Sequence, residues 1–289
     1  MSSSLLVLEA YPYLFYGITL LFGLIVGSFL NVVVYRLPVM MEAGWQREAR
    51  EILEMPAPEP SEAFNLIVPG SRCPTCNEAI RPWHNIPVLS FLILGGKCNK
   101  CKTGISARYP IVEALTGVVS VMVAAHFGLS LATLAALIFA WAVITLSLID
   151  FDTRLLPDAI TLPILWIGIM VNLADTIVPL EDAIIGAVAG YLSLWSVSFA
   201  FKVLIHKEGM GAGDFKMLAM LGAWLGWQAL PAIVILSSFA GSIVGIALIL
   251  RGGSRASKVP FGPFLGIAGM LQLLWGDAII DTYLSILVY

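Results

Sequence analysis

The sequence predicts an all-α polytopic membrane protein, with about eight transmembrane helices and one polar insertion between the first and the second. Three observations carry this. Of the 289 residues, 59% are hydrophobic and only 12% charged, about half the charged share of a soluble domain, and the mean hydropathy is +0.91. The apolar residues gather in stretches close to the ~20 residues that cross a hydrocarbon core. The basic residues, finally, sort to one side of the loops that those stretches define.

The apolar runs place helices at 14–35, 111–127, 131–149, 159–177, 183–201, 217–230, 232–250 and 263–288. The first run reads as a retained helix rather than a removable signal. No Lys or Arg precedes it, Glu9 stands before it, and no small-residue cleavage site follows. If all eight runs cross, every basic residue falls on one face. Nine lie from Arg36 to Arg108, followed by Arg154, then Lys202, Lys207 and Lys216, then Arg251, Arg255 and Lys258. The positive-inside rule makes that face cytoplasmic and places both termini on the outer side of a multi-pass membrane protein. The sixth run is short for a full span and is expected to be tilted or re-entrant. Membrane lipid is an expected partner; nucleic acid is not.

Three regions follow: a first transmembrane helix (1–35), a cytoplasmic loop (36–110) and a membrane core (111–289). The stretch Glu42–Glu62 is acidic, with Pro56, Pro58 and Pro60 close together. Its first half, to Met55, reads as an amphipathic surface helix and its second half as an extended linker. No repeat recurs at a fixed period. Gly186, Gly190, Gly241, Gly245, Gly262 and Gly266 are expected to serve close helix packing.

All four cysteines lie in the loop, as Cys73-Pro-Thr-Cys76 and Cys98-Asn-Lys-Cys101. Two CxxC pairs at this separation match a four-thiolate zinc site. Two disulfides are the alternative, disfavoured because the charge pattern independently puts the loop in the reducing cytoplasm. Four protein ligands leave no open position, so the insertion is predicted to carry a structural zinc that helps order it.

Ionisable residues at membrane boundaries are functional candidates, and two clusters stand out. Asp150, Asp152, Arg154 and Asp158 surround the end of the third run; Gly211-Ala-Gly-Asp214-Phe-Lys216 opens the sixth. Two intervening helices go out and back, which returns both clusters to one face. Two carboxylates there can share a proton, one activating water while the other donates to a carbonyl oxygen. Gly211 and Gly213 are expected to let backbone approach a substrate strand. Lys216 either holds a carboxylate or, as the favoured reading, anchors at lipid headgroups. Asp158 is expected to cap a helix, and Asp152 to pair with Arg154 or face water.

At this point the chain resembles the type IV prepilin peptidases, which are bifunctional leader peptidase/N-methyltransferases and GxGD aspartic membrane proteases. The likeness runs through Gly27-Ser-Phe-Leu-Asn31-Val32, Tyr35-Arg-Leu-Pro38, Cys73-Pro74 with Cys76, and Trp83-His-Asn85-Ile-Pro87. It continues through Lys97-Cys98 with Cys101, Arg108-Tyr-Pro110 with Glu113, Asp150 to Leu162, and Gly211 to Lys216. One departure is Gly95-Gly96-Lys97, where many members look like Arg-Gly-Lys. The resemblance implies that Asp150 and Asp214 are the catalytic pair. An Asp-x-x-x-Arg-x-Ile pattern in the more distant archaeal preflagellin peptidases favours Asp150 over Asp152.

The implied substrates are prepilins and pseudopilins of type IV pilus biogenesis and type II secretion. They carry a short basic leader ending in Gly, then an apolar helix that begins with Phe and bears Glu at its fifth position. Cleavage falls at the cytoplasmic boundary, where the leader's positive charge holds it. The resemblance further implies methylation of the new N-terminus from S-adenosylmethionine, with Asn31, Asn85, Arg108 and Glu113 as candidates. The sequence shows no soluble-methyltransferase glycine fingerprint. A protease without the methylation activity is one alternative; a proton- or cation-coupled transporter with boundary carboxylates is another, disfavoured because such residues usually lie near the midplane.

Overall fold

The computed structural model describes residues 10–56, 63–206, 210–251 and 259–287. Among them the regular elements are helices, joined by two isolated antiparallel bridges in the insertion. The chain divides into two compact units, Met1–Leu129 and Ser130–Tyr289.

In the first unit, α1 runs unbroken from Pro12 to Ile52, 41 residues or about 61 Å at the α-helical rise. The expected membrane helix over 14–35 and the surface helix beginning at Glu42 are therefore one rod. Pro38 lies inside it and removes one backbone hydrogen bond, but no glycine or turn residue follows to divert the chain before Gly44. A one-turn helix α2 (Leu89–Ile93) and then α3 (Arg108–Phe127) complete the unit. α1 and α3 pack antiparallel: Gly23 faces Gly117 and Ser120, Gly27 faces Glu113 and Thr116, and Asn31 reaches Tyr109. A Cβ on Gly27 would stand 2.8 Å from Glu113 Cα, and one on Gly23 2.9 Å from Gly117 Cα. Backbone atoms cannot turn aside, so these glycines set the approach of the two helices.

The second unit holds α4 (Leu131–Thr153), α5 (Asp158–Val171, extended by a 3₁₀ turn to Ala174), α6 (Leu180–Ile205), α7 (Ala212–Leu225), α8 (Leu230–Leu250) and α9 (Gly262–Leu287). Each of the eight expected segments falls on a helix. Among the described residues five helices are long and apolar enough to cross a membrane: α1, α3, α4, α6 and the stretch Trp227–Leu250. Two are short, α5 and α7, with 14 residues each; α7 spans about 21 Å against a core of ~30 Å. It is also the most enclosed, with Met217 to Leu225 all buried. A short helix is tolerated at membrane depth when protein surrounds its ends.

Contacts through small residues build this enclosure. The Cβ that Gly190 lacks would lie 2.6 Å from Leu218 O, and that of Gly186 would overlap Gly222 O, so α6 meets α7 backbone to backbone. Trp224 of α7 packs on Phe139 of α4, ring centroids 5.0 Å apart, and donates to Ile164 O of α5 at 2.8 Å. Gly266 of α9 faces Ser147 of α4, and Gly269 faces Leu221 of α7. The packing role expected for Gly186, Gly190 and Gly266 holds. Gly241 makes only ordinary contact with Phe264, and Gly245 has nothing within 4 Å, being on an open face of α8. Gly262 differs again, because it abuts Asp150.

Candidate active site and metal site

The two CxxC pairs lie in turns of the same construction, 25 residues apart (73 to 98, 76 to 101). In each, the first cysteine's N–H donates five residues on: Cys73 to Glu78 O at 2.9 Å, Cys98 to Thr103 O at 2.8 Å. Its carbonyl accepts from the residue four on, Asn77 at 2.9 Å or Lys102 at 3.0 Å. Both of those residues have left-handed backbone, φ 56° and 59°. An antiparallel bridge closes each turn, Arg72 with Ala79 and Lys97 with Gly104. The sequence reading missed this local repeat because little matches beyond the cysteines, one glycine (70 and 95), one basic position (72 and 97) and one isoleucine (80 and 105).

The four Sγ atoms lie within 4.8 Å of one another. Cys73 and Cys101 are 3.7 Å apart and Cys76 and Cys98 4.0 Å. A tetrahedron with Zn–S near 2.3 Å has edges of about 3.8 Å, whereas a disulfide needs about 2.05 Å. The donor set therefore fits a tetrahedral metal, and all four cysteines are free thiols. The Thr103 hydroxyl and backbone N–H hold the Cys101 thiol down to about 6, and backbone N–H groups of Cys76 and Thr75 lower Cys73. Both favour the thiolate that a metal requires, whereas Cys76, despite the Glu78 backbone hydrogen bond, is pushed up to about 11 by burial and the three neighbouring thiols. Lys100 pairs with Glu78 across the two turns and holds that carboxylate below its usual range.

Side chains from α1 and α3 tie the insertion down. Arg36 donates to Asn65 O at 2.8 Å and Pro69 O at 2.6 Å. Glu113, buried on α3, accepts from Val88 N–H at 2.7 Å. Asn31 donates to Gly27 O and, at 3.2 Å, to Tyr109 O. Of the four methyltransferase candidates, Asn31 and Glu113 are thus engaged with backbone, while Asn85 and Arg108 are exposed. These contacts by themselves assign none of the four to S-adenosylmethionine. Gly95 and Gly96, at φ 61° and 67°, turn the chain from α2 into the second cysteine turn. Gly95 has nothing within 4 Å of its missing Cβ, so its glycine serves backbone freedom rather than space.

In the second unit, Asp150 sits at the last turn of α4 and is buried, only 5% exposed. Arg154 ends the helix in left-handed conformation, its N–H on Asp150 O at 2.8 Å, and its charge reaches the Asp150 carboxylate. The backbone N–H of Gly262 donates to Asp150 Oδ2 at 2.8 Å. Asp152 and Asp158 are exposed, so among the three neighbouring aspartates only Asp150 is enclosed.

Asp214 lies in the first turn of α7, where its carboxylate turns back toward the N–H of Gly211, the favourable end for an acid. The end of α4 and the start of α7 both flank α9, where the missing Cβ of Gly266 faces Ser147 and Met217, and the Asp150 and Asp214 carboxylates, each at a helix end, lie close enough to interact electrostatically. Gly213 has a packing task as well. A Cβ there would lie 2.8 Å from Leu156 Cβ, so it seats α7 on the α4–α5 linker; a Cβ on Gly211 would meet nothing closer than Asp214 Oδ2 at 3.8 Å.

Two further expectations are corrected. Lys216 does not reach for headgroups: its Nζ lies 2.8 and 2.6 Å from the two oxygens of Asp158. Asp158 is not a cap, because Pro157 holds the N-cap position and Asp158 is the first helical residue. The first turns of α5 and α7 come side by side, and opposite charges two residues beyond Asp214 and one beyond Pro157 meet there.

Comparison with known proteins now bears on this geometry. A prepilin leader peptidase/N-methyltransferase of Pseudomonas aeruginosa is 53% identical over 280 residues, 96% of each chain. One of Aeromonas salmonicida is 54% identical over 277 residues, 95% of each chain. The chain belongs to the type IV leader peptidase family. The model of that family matches residues 137–246, and that of the bacterial peptidase A24 N-terminal domain matches 21–127. A further family relative, a prepilin leader peptidase/N-methyltransferase of Neisseria gonorrhoeae, is 48% identical over 89% of each chain. No solved structure matches the chain. In this leader peptidase family member the two matched stretches fall within the two structural units, and α9 lies beyond both. The site residue that sequence reasoning missed is on α9: Gly262 was read as packing. Its only signal was a Pro-Phe-Gly-Pro turn at 260–263, too short to assign.

Proposed function

We propose that this protein is a membrane aspartic endopeptidase that removes the leader of type IV prepilins and pseudopilins after Gly, and then N-methylates the new terminal residue, usually Phe, from S-adenosylmethionine. The observation that carries the protease half is the buried Asp150 carboxylate at the end of α4, with Asp214 in the first turn of α7, two helices that both meet α9 at Gly266. The names of the relatives support both activities, the methylation half alone resting on them.

The pair shares one proton, since two adjacent carboxylates do not both ionise. The ionised member takes a proton from water, and the oxygen attacks the carbonyl carbon of the leader's last Gly. The protonated member donates to the carbonyl oxygen. Collapse of the tetrahedral species breaks the C–N bond, and a proton passes to the departing amine of the mature pilin. Carboxylates gathered at helix ends, rather than strung along a transmembrane path, argue against the transporter reading.

Zinc on Cys73, Cys76, Cys98 and Cys101 is structural in this reading, because four thiolates close its coordination. The one-sided basic residues support an inner-membrane topology with the aspartates and cysteines cytoplasmic. The test is purified protein incubated with a prepilin, with and without S-adenosylmethionine, followed by mass measurement of the product's N-terminus. Cleavage after Gly, plus 14 Da only with the methyl donor (about one CH₂, the net gain of a methyl transfer that breaks one N–H), is expected. An uncut prepilin would refute the reading.

A further inference from the structure

Gly262 lies 112 positions from Asp150 in sequence and outside both stretches matched by the family models. Its N–H nonetheless donates to Asp150 Oδ2 at 2.8 Å in a buried setting. The Cβ it lacks would stand 2.7 Å from that same oxygen and 3.1 Å from Asp150 Cγ. We propose that Gly262 is a positioning residue of the aspartic site, its N–H and bare Cα together setting the Asp150 carboxylate, so that the first turn of α9 is a third wall of the site. This rests on Asp150 being half of the catalytic pair.

The backbone does not demand glycine here, since Gly262 is not among the glycines with positive φ. Space does. The other glycines on this face of α9 meet parts that can turn away: Gly266 meets the Ser147 hydroxyl and Gly269 the Leu221 methyls. The atom facing Gly262 cannot turn, because rotation would carry Oδ2 off the N–H that holds it. That N–H is free to serve because the first N–H groups of a helix have no partner within it. Pro260 and Pro263 flank it, have no N–H of their own, and fix φ on either side. One residue therefore both holds the carboxylate and leaves room for it, and any side chain at 262 forces the two tasks apart.

The test uses the full-length purified protein with a prepilin. Displacing a catalytic group by about 1 Å costs on the order of 100-fold, so Gly262→Ala should lower kcat by about that factor with KM within roughly threefold. Tm and methylation of a pre-cleaved pilin should stay near wild type. Gly266→Ala is the packing control; its loss should be rescued by adding Ser147→Ala, which opens space for the new Cβ. A kcat within threefold of wild type in Gly262→Ala overturns the proposal. So does a fall in kcat matched by equal falls in Tm and methylation, which would make Gly262 a packing residue like Gly266. Asp150→Asn runs alongside: if it still cleaves, the dyad reading fails first, and the result is told apart from a failure of Gly262 alone.

Discussion

Replacing Asp150 by Asn separates chemistry from folding more cleanly than any other change in this protein. Asn is nearly isosteric, and its Oδ1 can still accept from the Gly262 N–H that Asp150 Oδ2 now takes at 2.8 Å. What is lost is the ionic part of one hydrogen bond: charged bonds contribute about 1.5–3 kcal/mol and neutral ones about 0.5–1.5, a difference of about 1 kcal/mol. A neutral amide is also cheaper to bury than a carboxylate, which offsets part of that. Stability should therefore change by no more than about 1 kcal/mol, or a few degrees in Tm. Cleavage should fall by about 10⁴-fold or more, roughly 5 kcal/mol of barrier, because the water-activating pair no longer exists. The double Asp150→Asn/Asp214→Asn should be no worse than either single, since the two act as a unit. Asp152→Asn, at an exposed position, should stay within about threefold of wild type, as substitutions at exposed positions perturb little. The assay is the time course of prepilin conversion by gel and mass, with Tm from the same preparations. An Asp150→Asn enzyme within tenfold of wild type would refute the reasoning, and a dead Asp152→Asn beside it would move the pair to Asp152.

Asp158→Asn and Lys216→Met should each cost less than about 1 kcal/mol, because the paired side chains are 53% and 29% exposed and water screens them; most cleavage should survive, measured as above. Cys73→Ser with Cys76→Ser should empty the metal site and harm folding or methylation more than peptide-bond chemistry, checked by zinc content and both activities; full zinc retention would sink the four-cysteine assignment. Asn172→Leu should destabilise by about 2–3 kcal/mol, since it orphans the N–H groups of Ile177 and Val178 and the carbonyl of Ala223; reversible unfolding would show it. A reporter fused after Tyr289 should read as periplasmic, and a cytoplasmic signal would mean that one expected span, most simply α7, does not cross.

Much of this could be read without coordinates, for a reason particular to membranes. Hydrocarbon forces every exposed backbone group into a helix, so the eight apolar runs became helices wherever they lay. CxxC is a local device as well, each pair aimed by its own turn, so the four-cysteine cluster followed from spacing. Alternating helices could return the two aspartate clusters to one face, while the choice of Asp150 and Asp214 within them came from the family resemblance. Long-range partners were not legible. Lys216 pairs with Asp158, 58 positions away, only because the first turns of α5 and α7 lie side by side, and either residue alone reads equally well as a surface anchor or a cap. Gly262 looked like Gly266 in sequence; one meets the Asp150 carboxylate and the other a serine hydroxyl, a difference made wholly by where α9 lands. Composition and periodicity decide which segments leave water and how they fold locally, since those depend on neighbours within a turn or two. Which side chain a glycine faces, or which charge a lysine meets, depends on helix packing, and only the tertiary structure decides that.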